Sequence, residues 1–465
     1  MGCPPRQLRV FFFPLMSPGH TLPLVDIAKL FARHDVSVTI LVLPSTIPLL
    51  HQMIDDGPSP TPIDLISLPP PPGPYNDLTS LPSIAHSTEF FESMNTLSEW
   101  LERILRSHRP DCLVSDTFLP WTGDVAAALG IPRIVFHGMG FFPLCALHAL
   151  GQCESVDDSQ LLLPGLPHAI AMRRSQIHDS AKGRNRFGEF MERVVESELL
   201  SYGAVVNSFY EMEPAYADFF RTMMGRKAWQ VGPVSLANAH FEEVVGRGSR
   251  APSGRALKAW LDSKPPCSVL YVCFGTLAKM TDRQSREVLS ALQESNCSFL
   301  WIERGDTAEE GVGTREEGKG MFVRGWVPQL LLLGHGAVGG FMTHCGWNSV
   351  VESVSFGVPM VTWPMFAEQF YNERLVIDVL RVGVPVGAEE WGMREEDKGV
   401  ISGSRIREAV ARLMDGGEEA SALRGRAAEL RKKARRAMAV GGSSQADLIR
   451  LIEELRNLAS VGLNV

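Results

Sequence analysis

Several things are scarce or missing in this sequence. Of its 465 residues, 45 are Lys or Arg and 53 are Asp or Glu, so the formal charge is −8 and there is no basic excess. A protein that follows nucleic acid normally carries one, and that class is set aside. Long apolar runs are absent. The first apolar stretch, Val10 to Leu15, is broken by Pro14, whereas a membrane-spanning helix needs roughly 20 apolar residues. The same stretch has neither the extended apolar region nor the small-residue cleavage site of a signal peptide, so none is expected. Met1-Gly2-Cys3 is a poor acylation signal, because position 6 is Arg6 rather than Ser or Thr. The 8 cysteines form neither a CxxC pair nor a zinc spacing. They are expected to be free thiols in a reducing, cytoplasmic compartment. There is no GxSxG elbow for a serine hydrolase, no acidic cluster that would hold a metal, no low-complexity tract and no short-period repeat.

What is present is an ordinary globular composition, 45% hydrophobic and 21% charged, on a chain long enough for two domains. Leu8 to Phe13 is a continuous apolar run, Val36 to Leu43 is rich in β-branched residues, and Cys112 to Ser115 and Val269 to Phe274 are further strand-like segments. The first of these is what a parallel strand covered on both faces looks like. These segments alternate with others of helical spacing, among them Thr21 to Phe31, Phe90 to Leu105, Arg186 to Leu200, Arg283 to Glu294, Trp347 to Ser355 and Glu368 to Leu380. Repeated β-α-β units in both halves predict an α/β protein of two doubly wound domains. The Gly- and Ser-rich stretch before Gly254 marks the junction. The expected division is an N-terminal domain over 1–240, a linker over 241–254, a second domain over 255–442 and a closing amphipathic helix within 443–465.

The densest chemical signal runs from Trp326 to Gln369. Its apolar strand ends at His344, Gly346 allows close backbone approach, and Trp347, Asn348 and Ser349 open a helix. A helix start presents unpaired N–H groups and the positive end of the dipole, which suits a diphosphate. His344, Asn348 and Ser349 add side-chain donors there. Glu352, one turn on, can accept both hydroxyls of a ribose, and Trp326 offers a flat face for a base. Taken singly, each of these residue types is more often structural: a packing Trp, a capping Asn or Ser, a satisfied His. The combination carries the signal.

A second pair lies in the first half. His20 is expected in the loop that follows the first strand, after Pro18 and Gly19, and Asp116 ends a later strand, both at carboxyl ends, where ligands of doubly wound sheets bind. A histidine general base is best held in one tautomer by a carboxylate. From the residues alone, His20 could equally open a helix and Asp116 could cap one.

The 44 residues from Trp326 to Gln369 resemble the signature box of plant family-1 UDP-dependent glycosyltransferases. Similarity continues in PGHTLPLVDIAKLFA from Pro18, VNSFYEMEPAYADFF from Val206 and WLDSKPPCSVLYVCFG from Trp260. These stretches are most similar to the subgroup acting on flavonoids, triterpenoids and steroids. The resemblance implies a GT-B fold, with two Rossmann-like domains facing across a cleft and a final helix returning to the first. It implies a UDP-sugar donor and a small apolar acceptor with a hydroxyl. No metal or other cofactor is implied, and the enzyme is expected to act as a monomer. Trp326 would stack on uracil beside Val327 and Gln329. Glu352 would bind ribose, while His344, Trp347, Asn348, Ser349 and Thr276 would surround the diphosphate. Glu368 and Gln369 would bind the sugar. Glu368 stands where many relatives have Asp, and Gln369 resembles the glucose users. His20 would be the catalytic base and Asp116 its partner. Leu15, Phe118, Phe141 and Phe142 fall on the expected acceptor side, with core packing as the alternative for each. In the stretch FHGMGFF, Gly138 or Met139 stands where some relatives use Thr to touch the sugar.

The expected reaction is a single displacement with inversion at the anomeric carbon. Carbon instead of oxygen attack, and binding without catalysis, are the alternatives. Gly334 to Gly339 also fits GxGxxG, the dinucleotide-binding pattern, but it precedes a strand instead of following one.

Overall fold

The computed structural model describes residues 6–54, 61–75, 77–81, 86–153, 160–178, 185–237, 252–278, 280–303, 313–325, 327, 329–392 and 398–461. In chain order its strands are β1 (Arg9–Phe13), β2 (Ser37–Val42), β3 (Ile63–Ser67), β4 (Cys112–Asp116), β5 (Arg133–His137), β6 (Gln160–Leu162), β7 (Ala171–Arg173), β8 (Gly203–Val206) and β9 (Ala228–Gln230). They continue with β10 (Val269–Cys273), β11 (Ser298–Glu303), β12 (Gly313–Glu317), β13 (Gly320–Arg324), β14 (Val338–Thr343), β15 (Met360–Thr362) and β16 (Gly383–Pro385).

Packing divides the chain into two units. The first comprises residues 1–141, 183–238 and 436–465, and the second comprises residues 142–182 and 239–435. The expected linker lies outside the described residues up to position 251, and helix Pro252–Asp262 begins within it. The excursion of residues 142–182 into the second unit has a local cause. Trp391 N–H donates to the Ser175 carbonyl at 2.7 Å, Gln176 Nε2 donates to the Ala388 carbonyl at 3.2 Å, and Arg173 pairs with Glu389 at 2.9 Å.

The first unit holds a seven-stranded sheet in the order β3-β2-β1-β4-β5-β8-β9, parallel throughout. Strand β1 is central. Val10, Phe11, Phe12 and Phe13 are all buried, which is why this run shows no alternation. The chain leaves β1 for β2 on one side and reaches β4 on the other, so the order reverses between β1 and β4. Phe13 pairs with Ser115 there, so the chain segments just beyond these residues emerge side by side.

The second unit repeats the plan with the order β12-β13-β11-β10-β14-β15-β16. Only β12 is antiparallel. Its reversal falls between β10 and β14, where Cys273 pairs with Thr343. In open α/β sheets such reversals are the ligand-binding points.

The final helix, Ser443–Val461, packs on the first unit, as expected. Leu448, Leu451, Ile452 and Leu455 join the core that contains Val10, Phe12 and Trp229. Burying each is worth roughly 1.5–3 kcal/mol. The surface pair Lys227–Glu454 is worth at most about 1 kcal/mol, so apolar burial seats the helix. Asp447 fixes its register by accepting from Arg221 Nη2 at 2.8 Å and the Gln230 N–H at 2.9 Å.

Some elements differ from their expected form. The first helix runs Pro18–Ala32, so His20 sits in its first turn and not in the preceding loop. Proline at the first helical position costs no hydrogen bond and has its φ preset. The expected helix from Phe90 to Leu105 is two helices, Ser87–Met94 and Ser98–His108, joined by a 3₁₀ turn. The helix expected from Glu368 is Gln369–Arg374 followed by a π turn at Leu375–Val379.

Candidate active site

In the first unit the structure brings His20 and Asp116 together. Nδ1 of His20 lies 2.8 Å from Oδ2 of Asp116. The carboxylate is fully buried, whereas the imidazole keeps 20% of its surface. The other carboxylate oxygen accepts the Phe118 N–H at 3.0 Å. A buried ionised carboxylate must be compensated, and nearby Arg133 supplies positive charge. Its guanidinium donates to the Asp116 and Leu119 carbonyls at 3.2 and 3.3 Å and to the Ser115 hydroxyl at 2.7 Å. Burial pushes the Arg133 pKa down to about 10, while Asp116 and Glu198 pull it back up, so it remains a cation at neutral pH. Gly138 completes the seat: a Cβ there would lie 2.7 Å from Cε1 of His20.

Of the four apolar residues expected near the acceptor, Leu15, Phe141 and Phe142 are fully buried. Phe118 is half-buried, and its ring centroid lies 5.5 Å from that of His20. It stacks on Phe91 at 5.0 Å and 10°, and Phe91 stacks in turn on Phe190 at 5.0 Å and 11°. This aromatic row comes from three separate segments, and only Phe118 was legible from sequence spacing.

In the second unit β14 delivers His344 to the reversal point, next to the end of β10. The imidazole is boxed in by two glycines. A Cβ at Gly275 would sit 2.6 Å from its Cε1 and Nε2, and one at Gly346 would sit 2.5 Å from Nε2. Gly275 also has a φ of +78°, natural only for glycine. Burial pushes the His344 pKa down to about 4, and its Nδ1 has no hydrogen-bond partner among the described residues. The ring is therefore neutral at neutral pH, with one N–H to donate.

Helix Trp347–Phe356 follows Gly346, which as a glycine brings no side-chain cap; the start of a helix carries backbone N–H groups that its own turns do not use. Trp347 is buried, Asn348 is half-buried and Thr276 is exposed. Gln329 organises the next turn. Its Nε2 donates to Glu352 Oε2 at 2.7 Å and to Ser349 Oγ at 3.3 Å, and its Oε1 accepts from the buried Tyr271 hydroxyl at 3.1 Å. Val327, two residues before Gln329, is half-buried. Trp326 lies outside the described residues. Glu368 is half-buried, and its carboxylate accepts from Asn372 at 3.2 Å. The Gln369 side-chain carbonyl turns back to accept the Met365 and Phe366 N–H groups at 2.9 and 3.1 Å. The GxGxxG-like stretch runs into β14, which starts at Val338, so it opens no helix.

Arg133, Gly275 and Asn372 were not singled out by sequence reasoning, and Gly138 was named only as a position where some relatives carry Thr. Arg133 alone carried a visible signal, a charge within the apolar run Ile131 to Phe136. Among the described residues no helix is long and apolar enough to cross a membrane.

Two doubly wound α/β units, with the last helix packed on the first, are the components of the GT-B class, and the solved structures similar to the chain are glycosyltransferases of that class. A family model described as UDP-glucoronosyl and UDP-glucosyl transferase matches residues 195–400. The chain is 42% identical to a UDP-glucose flavonoid 3-O-glucosyltransferase 7 of Fragaria ananassa, covering 98% of each. It is 40% identical to a scopoletin glucosyltransferase of Nicotiana tabacum, over 98% of this chain and 99% of that protein. Among solved structures it is similar to Glycyrrhiza uralensis UGT73P12 complexed with glycyrrhetinic acid 3-O-monoglucuronide. That match has a TM-score of 0.87 at 36% identity, covering 99% of this chain and 98% of the other. The chain belongs to the plant family-1 UDP-dependent glycosyltransferases and is a glycosyltransferase that uses a UDP-sugar.

Proposed function

We propose that the protein transfers glucose from UDP-glucose to a hydroxyl of a small plant metabolite with a flat, largely apolar ring system, inverting the anomeric centre. The observation that carries the reading is the 2.8 Å contact between His20 and Asp116. With Asp116 accepting from Nδ1–H, the imidazole lone pair is left on Nε2. That nitrogen takes the proton of the acceptor hydroxyl as its oxygen bonds to the anomeric carbon. The bond from that carbon to the diphosphate breaks, and UDP leaves with the electron pair. A positioned histidine base contributes about 10²–10⁴-fold, and Asp116 stabilises the imidazolium that forms.

In the second unit the departing diphosphate is received by the helix start at Trp347 and by donors from neutral His344, Asn348, Ser349 and Thr276. Trp326 and Val327 flank the uracil. Glu352, pre-aligned by Gln329, takes the ribose hydroxyls. Glu368 accepts from sugar hydroxyls and Gln369 offers its amide donors. Phe118, half-buried beside His20 and backed by the buried Phe91 and Phe190, supports a planar ring acceptor, and the flavonoid and scopoletin names of the two relatives agree with it. The enzyme works as a cytosolic monomer and needs no metal or other cofactor.

The test is incubation with UDP-glucose and a panel of flavonoids, coumarins, triterpenoids and steroids, with mass and NMR analysis of products. One UDP released per β-O-glucoside formed is the expected result. UDP binding without turnover on any acceptor, or a C-linked product, overturns it. Phe118→Leu should raise KM for planar phenolic acceptors by about 2–10-fold, as the loss of one aromatic contact predicts, and should leave donor KM unchanged.

A further inference from the structure

Asn372 lies on helix Gln369–Arg374 and is fully buried. Its side-chain NH₂ donates to two acceptors, the Cys345 carbonyl at 2.8 Å and the Glu368 carboxylate at 3.2 Å. An amide nitrogen carries two N–H groups and an amide oxygen carries none. With acceptors on both contacts, only one orientation of the amide satisfies them. The two partners belong to different parts of the donor half-site. Cys345 links His344 to the helix start at Gly346, and Glu368 is the sugar-facing carboxylate of the proposed reading.

Both partners sit at strained turns. Cys345 has a φ of +64°, and Ala367, just before Glu368, has a φ of +52°. Non-glycine residues hold such conformations only where their surroundings impose them. Around Ala367 the Trp391 indole donates to its carbonyl at 3.0 Å, and Gln369 takes up the preceding N–H groups. Asn372 joins this turn to the one at Cys345.

We propose that Asn372 is a positioning residue for the donor sugar: it aims the Glu368 carboxylate and locks it to the loop that opens the diphosphate-facing helix. This rests on the reading of Glu368 as a sugar contact. The experiment is a double-mutant cycle of Asn372→Ala and Glu368→Ala, with kcat/KM for UDP-glucose, calorimetric UDP affinity and Tm measured for each. Each single variant is expected to lose about tenfold or more in kcat/KM, and the double to stay within about threefold of Glu368→Ala alone, because the residues act as a unit. UDP affinity should move less than about threefold. Asn372→Asp keeps the volume but places a second carboxylate against Glu368; it should lose at least as much, and it serves if the alanine variant fails to fold.

Losses that multiply in the double variant overturn the proposal. So does a UDP affinity that falls in step with kcat/KM, which would mark a purely structural role in the loop. Either leaves the reading of Glu368 standing. Unchanged kcat/KM in Glu368→Ala would instead remove Glu368 from the sugar site, and the proposal with it.

Discussion

Each unit presents a histidine beside its sheet reversal, His20 in the first turn of the helix after β1 and His344 directly after β14, and the two have opposite surroundings. His20 is wired through Nδ1 to a buried carboxylate and keeps part of its ring exposed. Among the described residues no carboxylate pairs with His344; it is boxed between Gly275 and Gly346, and burial lowers its pKa to about 4. On the proposed mechanism the first gains a proton during the reaction and the second remains a neutral donor. Topology sets where a group can act, and its immediate neighbours set its protonation chemistry.

Four experiments sharpen or break this contrast. His20→Ala should cost at least about 10²-fold in kcat on alcohol or phenol acceptors, with calorimetric UDP affinity nearly unchanged; survival of activity within twofold ends the base assignment. Glu352→Ala should act in the opposite way, raising KM for the UDP-sugar about tenfold or more through a lost charged contact while kcat falls less. An unchanged donor KM would remove the ribose role. Gly138→Ala forces its Cβ against the His20 ring. It should lower kcat several-fold, by roughly 3–10-fold, as a modest misplacement does, without affecting UDP binding.

The smallest effect concerns stability. His344 has a folded pKa of about 4, below its unfolded value of about 6.5. Between those values the unfolded chain binds the extra proton, so stability falls as pH drops from about 6.5 towards 4 and is level above that window. His344→Gln should flatten this part of the acid limb in denaturant melts. An identical slope in the variant would mean that His344 titrates normally.

The local arrangement of the proposed donor half-site was largely legible in the sequence because its residues are neighbours. Within one block a strand end, a glycine, a helix start and a glutamate one turn on dictate their own arrangement. The His20–Asp116 pair was legible only as a possibility, since two residues 96 positions apart meet only if β1 and β4 are neighbours. The helical first turn around His20 was misjudged because Pro18 and Gly19 look like loop residues, although Pro18 fits the first helical position.

By itself, then, the sequence determined the alternation of buried parallel strands and helices, the strand-to-helix turn at Gly346 and the apolar face of the last helix, all of which follow from the order of neighbouring residues. Tertiary structure alone decided that Arg133 and Gly138 would seat the base pair, that Phe91 and Phe190 would stack behind Phe118, and that Asn372 would span two turns. These contacts join segments far apart in the chain. Their strength comes from burial and close packing, which exist only once the sheets have assembled.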